Sequence, residues 1–310
     1  MKLLVCESPL TDPHYNLALE ETLLSHAEDA VILYLWQNCS TVVIGRNQNP
    51  WKECRTALLT QEGGHLARRL SGGGAVFHDL GNLNFTFLLP QDRYDLDRQL
   101  SVIESAVRSF GIEAERSGRN DILAQGRKFS GNAFYKNGRQ AYHHGTILMD
   151  ADMDKLSRYL NPSRAKLAAK GVDSVRSRVG NLRELNSDIT IEAMKAALTD
   201  SFSTIFNNSV EKIAVSPHPD LLERYRSWEW NYGQKLPFSF QWEDRLSFGC
   251  VRIEASVENG IIRQARVYTD AMDWQLPRRL EAALTGTRLD RAELTKKAPE
   301  FSGVFQRMDI

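Results

Sequence analysis

The chain has 310 residues, with 39 Lys+Arg balanced by 39 Asp+Glu, 42% hydrophobic residues and 25% charged ones. That length implies about two domains, and zero net charge argues against the broad basic surface of a general nucleic-acid binder. The composition excludes low-complexity and disulfide-scaffold classes, and no run reaches the roughly 20 apolar residues of a membrane helix.

The start, Met1-Lys2-Leu3-Leu4-Val5-Cys6, has too short an apolar run for a signal peptide. Cys6, Cys39, Cys54 and Cys250 make no C-x-x-C pair and no zinc spacing. The expectation is a cytoplasmic monomer with reduced thiols, meeting neither nucleic acid nor membrane.

Residues 2–6 read as a strand. Asp12-Pro13 supplies an N-cap and a proline at the first helical position, so a helix is expected over 13–27. Residues 31–36 and 41–44 are β-branched and aromatic, and read as paired strands. Residues 51–62 read as helix. Leu83-Asn84-Phe85-Thr86-Phe87 alternates with period two, a half-buried strand. A helix over 95–110 carries Ile103, Val107 and Phe110 on one face. From 112 to 149 the texture is strand-like, with Asn137-Gly138 as a hairpin turn between 128–136 and 139–149. Helices are expected over 152–160 and 190–206. Strands follow over 236–270, turning at Asn259-Gly260, and then a helix over 276–284. A domain boundary falls at 233–243. Blocks of strands and helices without regular βαβ alternation indicate α+β.

One segment stands out: Arg68-Arg69-Leu70-Ser71-Gly72-Gly73-Gly74-Ala75-Val76-Phe77-His78-Asp79. Glycines let a backbone approach a ligand closely, successive N–H groups can form an anion nest, and the arginines suit phosphate or carboxylate. The segment is neither a P-loop nor a dinucleotide fingerprint. Three more glycine-bearing polar clusters follow: Ser117-Gly118-Arg119-Asn120-Asp121-Ile122, Gly126-Arg127-Lys128-Phe129-Ser130-Gly131-Asn132 and Tyr142-His143-His144-Gly145-Thr146. Together they suggest one site built from loops at strand ends. His143 and His144, adjacent on a strand, must face opposite ways.

In these four segments the chain resembles the bacterial lipoate–protein ligases. Supporting stretches are residues 41–51, 170–179 and Ser227-Trp228-Glu229-Trp230-Asn231-Tyr232-Gly233, and the match runs from about residue 3 to beyond 280. The resemblance implies an α+β fold: a large mixed-sheet catalytic domain of the biotin/lipoate ligase type, residues 1–235, and a smaller α+β C-terminal accessory domain, residues 236–310. It implies an enzyme that activates lipoate with ATP to lipoyl-AMP, releasing pyrophosphate. The lipoyl group then passes to a lysine of lipoyl domains of 2-oxoacid dehydrogenase complexes or of the glycine-cleavage H protein.

The resemblance also implies residue roles. Lys128 serves both steps. Arg69, Gly74, Ala75, Val76, Phe77, Asn120 and Asp121 contact ATP together with Lys128. Gly73, His78 and His144 join Lys128 around lipoate. Arg176 and Arg178 belong to a loop over the adenylate, Gly45-Arg46 borders the site, and Asp121 is the candidate ligand of Mg²⁺. The lipoyl slot would draw on Leu70, Val76, Phe77, Phe85 or Phe134. Two other readings stand beside the ligase. One is a lipoyl/octanoyltransferase without the activation step, whose acyl-cysteine version lacks a cysteine in the motif segments. The other is a non-catalytic lipoate- or nucleotide-binding module.

Overall fold

The computed structural model describes residues 1–118, 121–161, 179–232, 240–258, 260–308 and 310. The first half opens with β1 (Lys2–Glu7), α1 (Pro13–Ser25), β2 (Ala30–Trp36) and β3 (Thr41–Ile44), then α2 (Pro50–Glu53), α3 (Thr56–Gln61), β4 (His65–Arg68), β5 (Val76–His78) and β6 (Asn82–Pro90). It continues through α4 (Leu96–Arg108), β7 (Glu115–Ser117), β8 (Asp121–Ala124), β9 (Arg127–Lys136), β10 (Gln140–Leu148) and α5 (Met153–Tyr159). Then come α6 (Ile191–Phe206), β11 (Val210–Ile213), α7 (Pro219–Arg226) and α8 (Trp228–Asn231). The C-terminal part has β12 (Phe240–Leu246), β13 (Gly249–Glu258), β14 (Ile261–Thr269), α9 (Leu276–Leu284), α10 (Arg291–Lys297) and α11 (Ser302–Phe305).

Local chemistry explains the boundaries. The Asp12 carboxylate accepts from the backbone N–H groups of His14 and Tyr15 and starts α1 ahead of Pro13. Asp95 and Thr190 cap α4 and α6 in the same way. Gly138, at φ +95°, makes the turn between β9 and β10. The helix expected over 51–62 is broken in two. Cys54 bridges Leu160, and the Arg55 N–H donates to Tyr159 O, so the chain leaves helical pairing to reach the end of α5.

An eight-stranded mixed sheet runs β11-β1-β2-β6-β10-β9-β8-β7. Its β1–β2 and β1–β11 pairs are parallel, and the rest are antiparallel. One face packs on α4 and α6 through Phe85, Phe87, Val107, Leu198 and Phe202; removing one such buried Phe side chain costs about 3–5 kcal/mol. The other face packs on α1 and α7 through Leu17, Tyr34, Tyr142 and Tyr225. A small sheet, β4-β3-β5, sits with α3 and α5 around Val42, Phe77, Leu156 and Tyr159. The C-terminal domain is an antiparallel sheet, β12-β13-β14, with its own core of Val251, Ile253, Leu280, Leu294 and Phe305 against α9, α10 and α11. The expected boundary at 235/236 lies outside the described residues.

The two domains meet at the glycine-rich loop. Gly73 N–H donates to Ala271 O (3.2 Å) and Thr269 N–H to Asn47 O (3.0 Å). Asn47 Nδ2 donates to Trp274 O (3.0 Å), and Trp274 Nε1 to Lys136 O (3.3 Å). A Cβ on Gly72 would lie 2.2 Å from Ala271 O, so only glycine allows this approach.

Candidate active site

A cavity of about 920 Å³ lies between the large sheet, the small sheet and the C-terminal domain. Its floor is one register row of the large sheet: Trp36 pairs with Asn84, Asn84 with Thr146, and Gly131 N–H donates to Thr146 Oγ1 (3.2 Å). Of the expected residues, Arg69, Gly73, Gly74, Ala75, Val76, Phe77, His78, Asp121, Lys128 and His144 all line it. Asn120, Arg176 and Arg178 lie outside the described residues, as does Arg119.

Lys128 reaches the cavity because of a bulge. In a regular strand it would face away from Gly131 and Ala133. The β8–β9 register shifts, so that Ile122 pairs with Ser130 and Leu123 with Lys128. The extra residue reverses the alternation, sending Phe129 into the core with Ile122 and Lys128 to the cavity side with Gly131 and Ala133. Lys128 Nζ ion-pairs with Asp121 Oδ1 at 2.7 Å. Burial and the Arg69 charge lower the lysine's pKa to about 8, while the Asp121 carboxylate acts in the opposite sense.

Arg69 shapes the loop from within. Its Nη2 donates to Gly72 O (2.8 Å) and Gly74 O (2.7 Å), its Nε to Ser71 Oγ (3.0 Å) and its Nη1 to Val43 O (3.2 Å). Burial lowers its pKa to about 10, so it stays a cation. Behind the loop, His144 Nε2 meets Ser71 Oγ and His144 Nδ1 meets Glu20 Oε1, both at 2.8 Å. Glu20 also accepts from Thr86 Oγ1 (2.7 Å), which accepts from Trp36 Nε1 (3.1 Å). His143 points the other way, among Phe85, Phe87 and Phe134.

Two arginines in the motif segments are not in the cavity wall. Arg68 is buried, donating to Gly45 O, Arg46 O, Gln48 O, Trp230 O and Asn231 O. It ties β4 to the chain after β3 and to α8. Arg127 pairs with Glu184 at 2.5 Å. Among the described residues the cations lining the cavity are Arg69, Lys128 and Arg245, the last from β12 and held by Asp270 at 3.4 Å. Of the proposed slot residues, Val76 and Phe77 line the cavity, whereas Leu70 and Phe85 belong to the cores on either face of the sheet.

The sequence reading missed Leu17, Glu20, Trp36 and Asn84, and the C-terminal hairpin tip at Ser247 and Phe248. Glu20 did leave a signal: it shares a helix face with Leu17 and Leu24, where an acid is costly without a partner. No cysteine lines the cavity among the described residues. No three His, Cys, Asp or Glu side chains converge on a metal among them either. Asp121 offers a single carboxylate, which suits Mg²⁺ only when phosphate and water oxygens complete the octahedron. No described helix is long and apolar enough to cross a membrane.

Residues 12–203 match the family model of the lipoyl protein ligase A/B catalytic domain, and residues 235–309 that of the bacterial lipoate protein ligase C-terminus. Among solved structures the chain is similar to Plasmodium falciparum LipL1 in complex with lipoate. That match has 30% identity over 96% of this chain and 93% of that one, with a TM-score of 0.84. A bipartite lipoate protein ligase from Thermoplasma acidophilum, described with its E2 lipoyl domain, is 27% identical over 77% of this chain and 98% of its own, with a TM-score of 0.66. Lipoate-protein ligase A bound with ATP is 26% identical over 75% and 98%, with a TM-score of 0.65. Motifs, cavity and both halves of the fold agree: the chain belongs to the lipoate–protein ligase family.

Proposed function

We propose that the chain is an ATP-dependent lipoate–protein ligase. The observation that carries this reading is Lys128. Its ammonium, paired with Asp121, lines the same cavity as Gly73–Phe77 of the glycine-rich loop and the apolar side chains of Leu17, Trp36 and Val43. A lipoate carboxylate and the α-phosphate of ATP would both be drawn to it. With the tail in the slot, a carboxylate oxygen attacks the α-phosphorus. The new O–P bond forms as the bond to the β-phosphate oxygen breaks, and pyrophosphate leaves. Arg69 and the Gly74–Phe77 backbone would hold the nucleotide and stabilise the charge developing at phosphorus. Asn120, Arg176 and Arg178 are assigned to the nucleotide side. Asp121 would hold Mg²⁺ arriving on the phosphates, and the ion would supply further neutralisation.

In the second step the ε-amine of an acceptor lysine attacks the acyl carbon, AMP departs with the bonding electrons, and the amine loses its proton. Lys128 stays against the acyl oxygen. The acceptors are taken to be lipoyl domains of 2-oxoacid dehydrogenase complexes and the glycine-cleavage H protein.

The test is lipoate-dependent exchange of labelled pyrophosphate into ATP. Exchange by the intact chain, reduced at least a hundredfold in Lys128→Ala, is the expected result. No exchange, with transfer from added lipoyl-AMP retained, would make the chain a transferase without the activation step.

A further inference from the structure

Arg245 reaches the cavity from the C-terminal domain, and its side chain keeps 28% of its surface open. The backbone around it is fixed, while its head is held loosely. Arg245 N–H donates to Asp244 Oδ1 (2.6 Å), and Arg245 O accepts from Arg307 Nη1 (3.1 Å). The guanidinium is held at one corner: Nη1 lies 3.3 Å from Cys250 Sγ and 3.4 Å from Asp270 Oδ2. Sulfur accepts weakly, and 3.4 Å is long for a charge-assisted hydrogen bond. Nε and Nη2 have no hydrogen-bond partner among the described residues.

Asp270 sets where this cation sits. Its Oδ1 accepts from Cys250 N–H (2.6 Å), and the next residue, Ala271, accepts at its carbonyl from Gly73 N–H (3.2 Å). Arg245 is thereby tied to the glycine-rich loop, on the side of the cavity assigned above to the nucleotide. ATP is a polyanion, and the other two cations of the described lining are already committed. Arg69 gives Nε to Ser71 Oγ, Nη1 to Val43 O, and Nη2 to Gly72 O and Gly74 O. Lys128 is paired with Asp121 and assigned to the carboxylate and the α-phosphate. Among the described residues, Arg245 is the lining cation with donors left for the β- and γ-phosphates. Its Nε–H and one Nη2–H lie parallel in one plane, the fork that matches two phosphate oxygens.

We propose that Arg245 is a catalytic residue of the activation step: with Nη1 kept at Asp270, its Nε and Nη2 hold the β- and γ-phosphates of ATP and stabilise the departing pyrophosphate. In that step the carboxylate oxygen bonds to the α-phosphorus and the bond to the bridging oxygen breaks. The electron pair goes to the pyrophosphate oxygen, where the guanidinium meets the added charge. Transfer from the adenylate involves no pyrophosphate, so Arg245 has no part in it. The inference rests on the function proposed above and adds a residue to its first step alone.

The experiment compares two reactions of the full chain, of Arg245→Gln and of Arg245→Lys. One is lipoate-dependent exchange of labelled pyrophosphate into ATP, with the KM for pyrophosphate. The other is lipoyl transfer from added lipoyl-AMP to a lipoyl domain. The readout is the ratio of the two rates in one preparation, which an unfolded fraction does not alter. In Arg245→Gln, exchange is expected to fall about a hundredfold or more, while transfer stays within about threefold. Arg245→Lys, which keeps the charge and loses the fork, is expected to retain part of the exchange with a raised KM for pyrophosphate. Undiminished exchange in Arg245→Gln, or equal falls in exchange and transfer, would overturn the proposal; equal falls would make Arg245 a support for the glycine-rich loop. No exchange by the unaltered chain would remove the functional reading, and this inference with it.

Discussion

Lys128 is under two opposed influences: burial and Arg69 favour the free amine, and the Asp121 carboxylate favours the ammonium. If the ammonium draws carboxylate and phosphate together, pyrophosphate exchange falls as pH rises through about 8, by about tenfold per unit well above it. Arginine does not deprotonate in that range. The residual exchange of Lys128→Arg is therefore expected to lack this limb, and a pH profile of both proteins checks it. The residue itself was legible from Arg127-Lys128-Phe129-Ser130-Gly131. Its direction was not, because period-two alternation gives the wrong face and the bulge that corrects it arises from pairing with β8. Arg68 illustrates the opposite error: beside a glycine-rich loop it looks like a ligand-binding charge, yet its five carbonyl partners come from segments distant in sequence.

At the level of elements, a missing side chain sets the Lys128 geometry. A Cβ on Gly131 would lie 2.6 Å from Lys128 Nζ and 2.8 Å from Cε. Those atoms end a flexible chain and can move aside, so Gly131→Ala should leave the sheet intact and displace the ammonium. The expected outcome is a change in stability within about 1 kcal/mol and a loss of exchange activity of roughly 10- to 100-fold, read from thermal melts and the exchange assay. Local signals were sufficient for α1, α4, α6 and the Asn137-Gly138 hairpin, where caps and periodicity agree with the burial observed. They failed over 51–62, where the break is imposed by contacts with Tyr159 and Leu160, about 100 residues away. The short strands β4 and β5 flanking the glycine-rich loop were also unread, being only 4 and 3 residues long.

For the whole molecule, buried imidazoles set the acid limit. His78 and His143 are each lowered from 6.5 to about 3, chiefly by burial. Their unfolded forms take up a proton near pH 6.5 and the folded forms do not, so the unfolded state binds more protons between those values. Stability is therefore full above about pH 6.5 and is lost as pH falls toward 3, with a slope of up to about 2.7 kcal/mol per unit from the two groups. Denaturant unfolding at pH 7, 6 and 5 should show this slope, and His143→Gln should roughly halve it. A pH-independent stability over that range would contradict the assignment of both rings as neutral.

The seam between the domains has a different kind of consequence. In the four hydrogen bonds named above across it, each acceptor is a main-chain carbonyl: Ala271, Asn47, Trp274 and Lys136. Carbonyls survive nearly any substitution, so sequence drift on either side leaves the acceptors where they were. Two of the donors are side chains, Asn47 and Trp274, so the sensitive positions are those two and Gly72, where a single methyl group meets the opposing backbone. Such a joint can persist between lineages whose surfaces have otherwise diverged, with little paired change between the two domains to record that they touch.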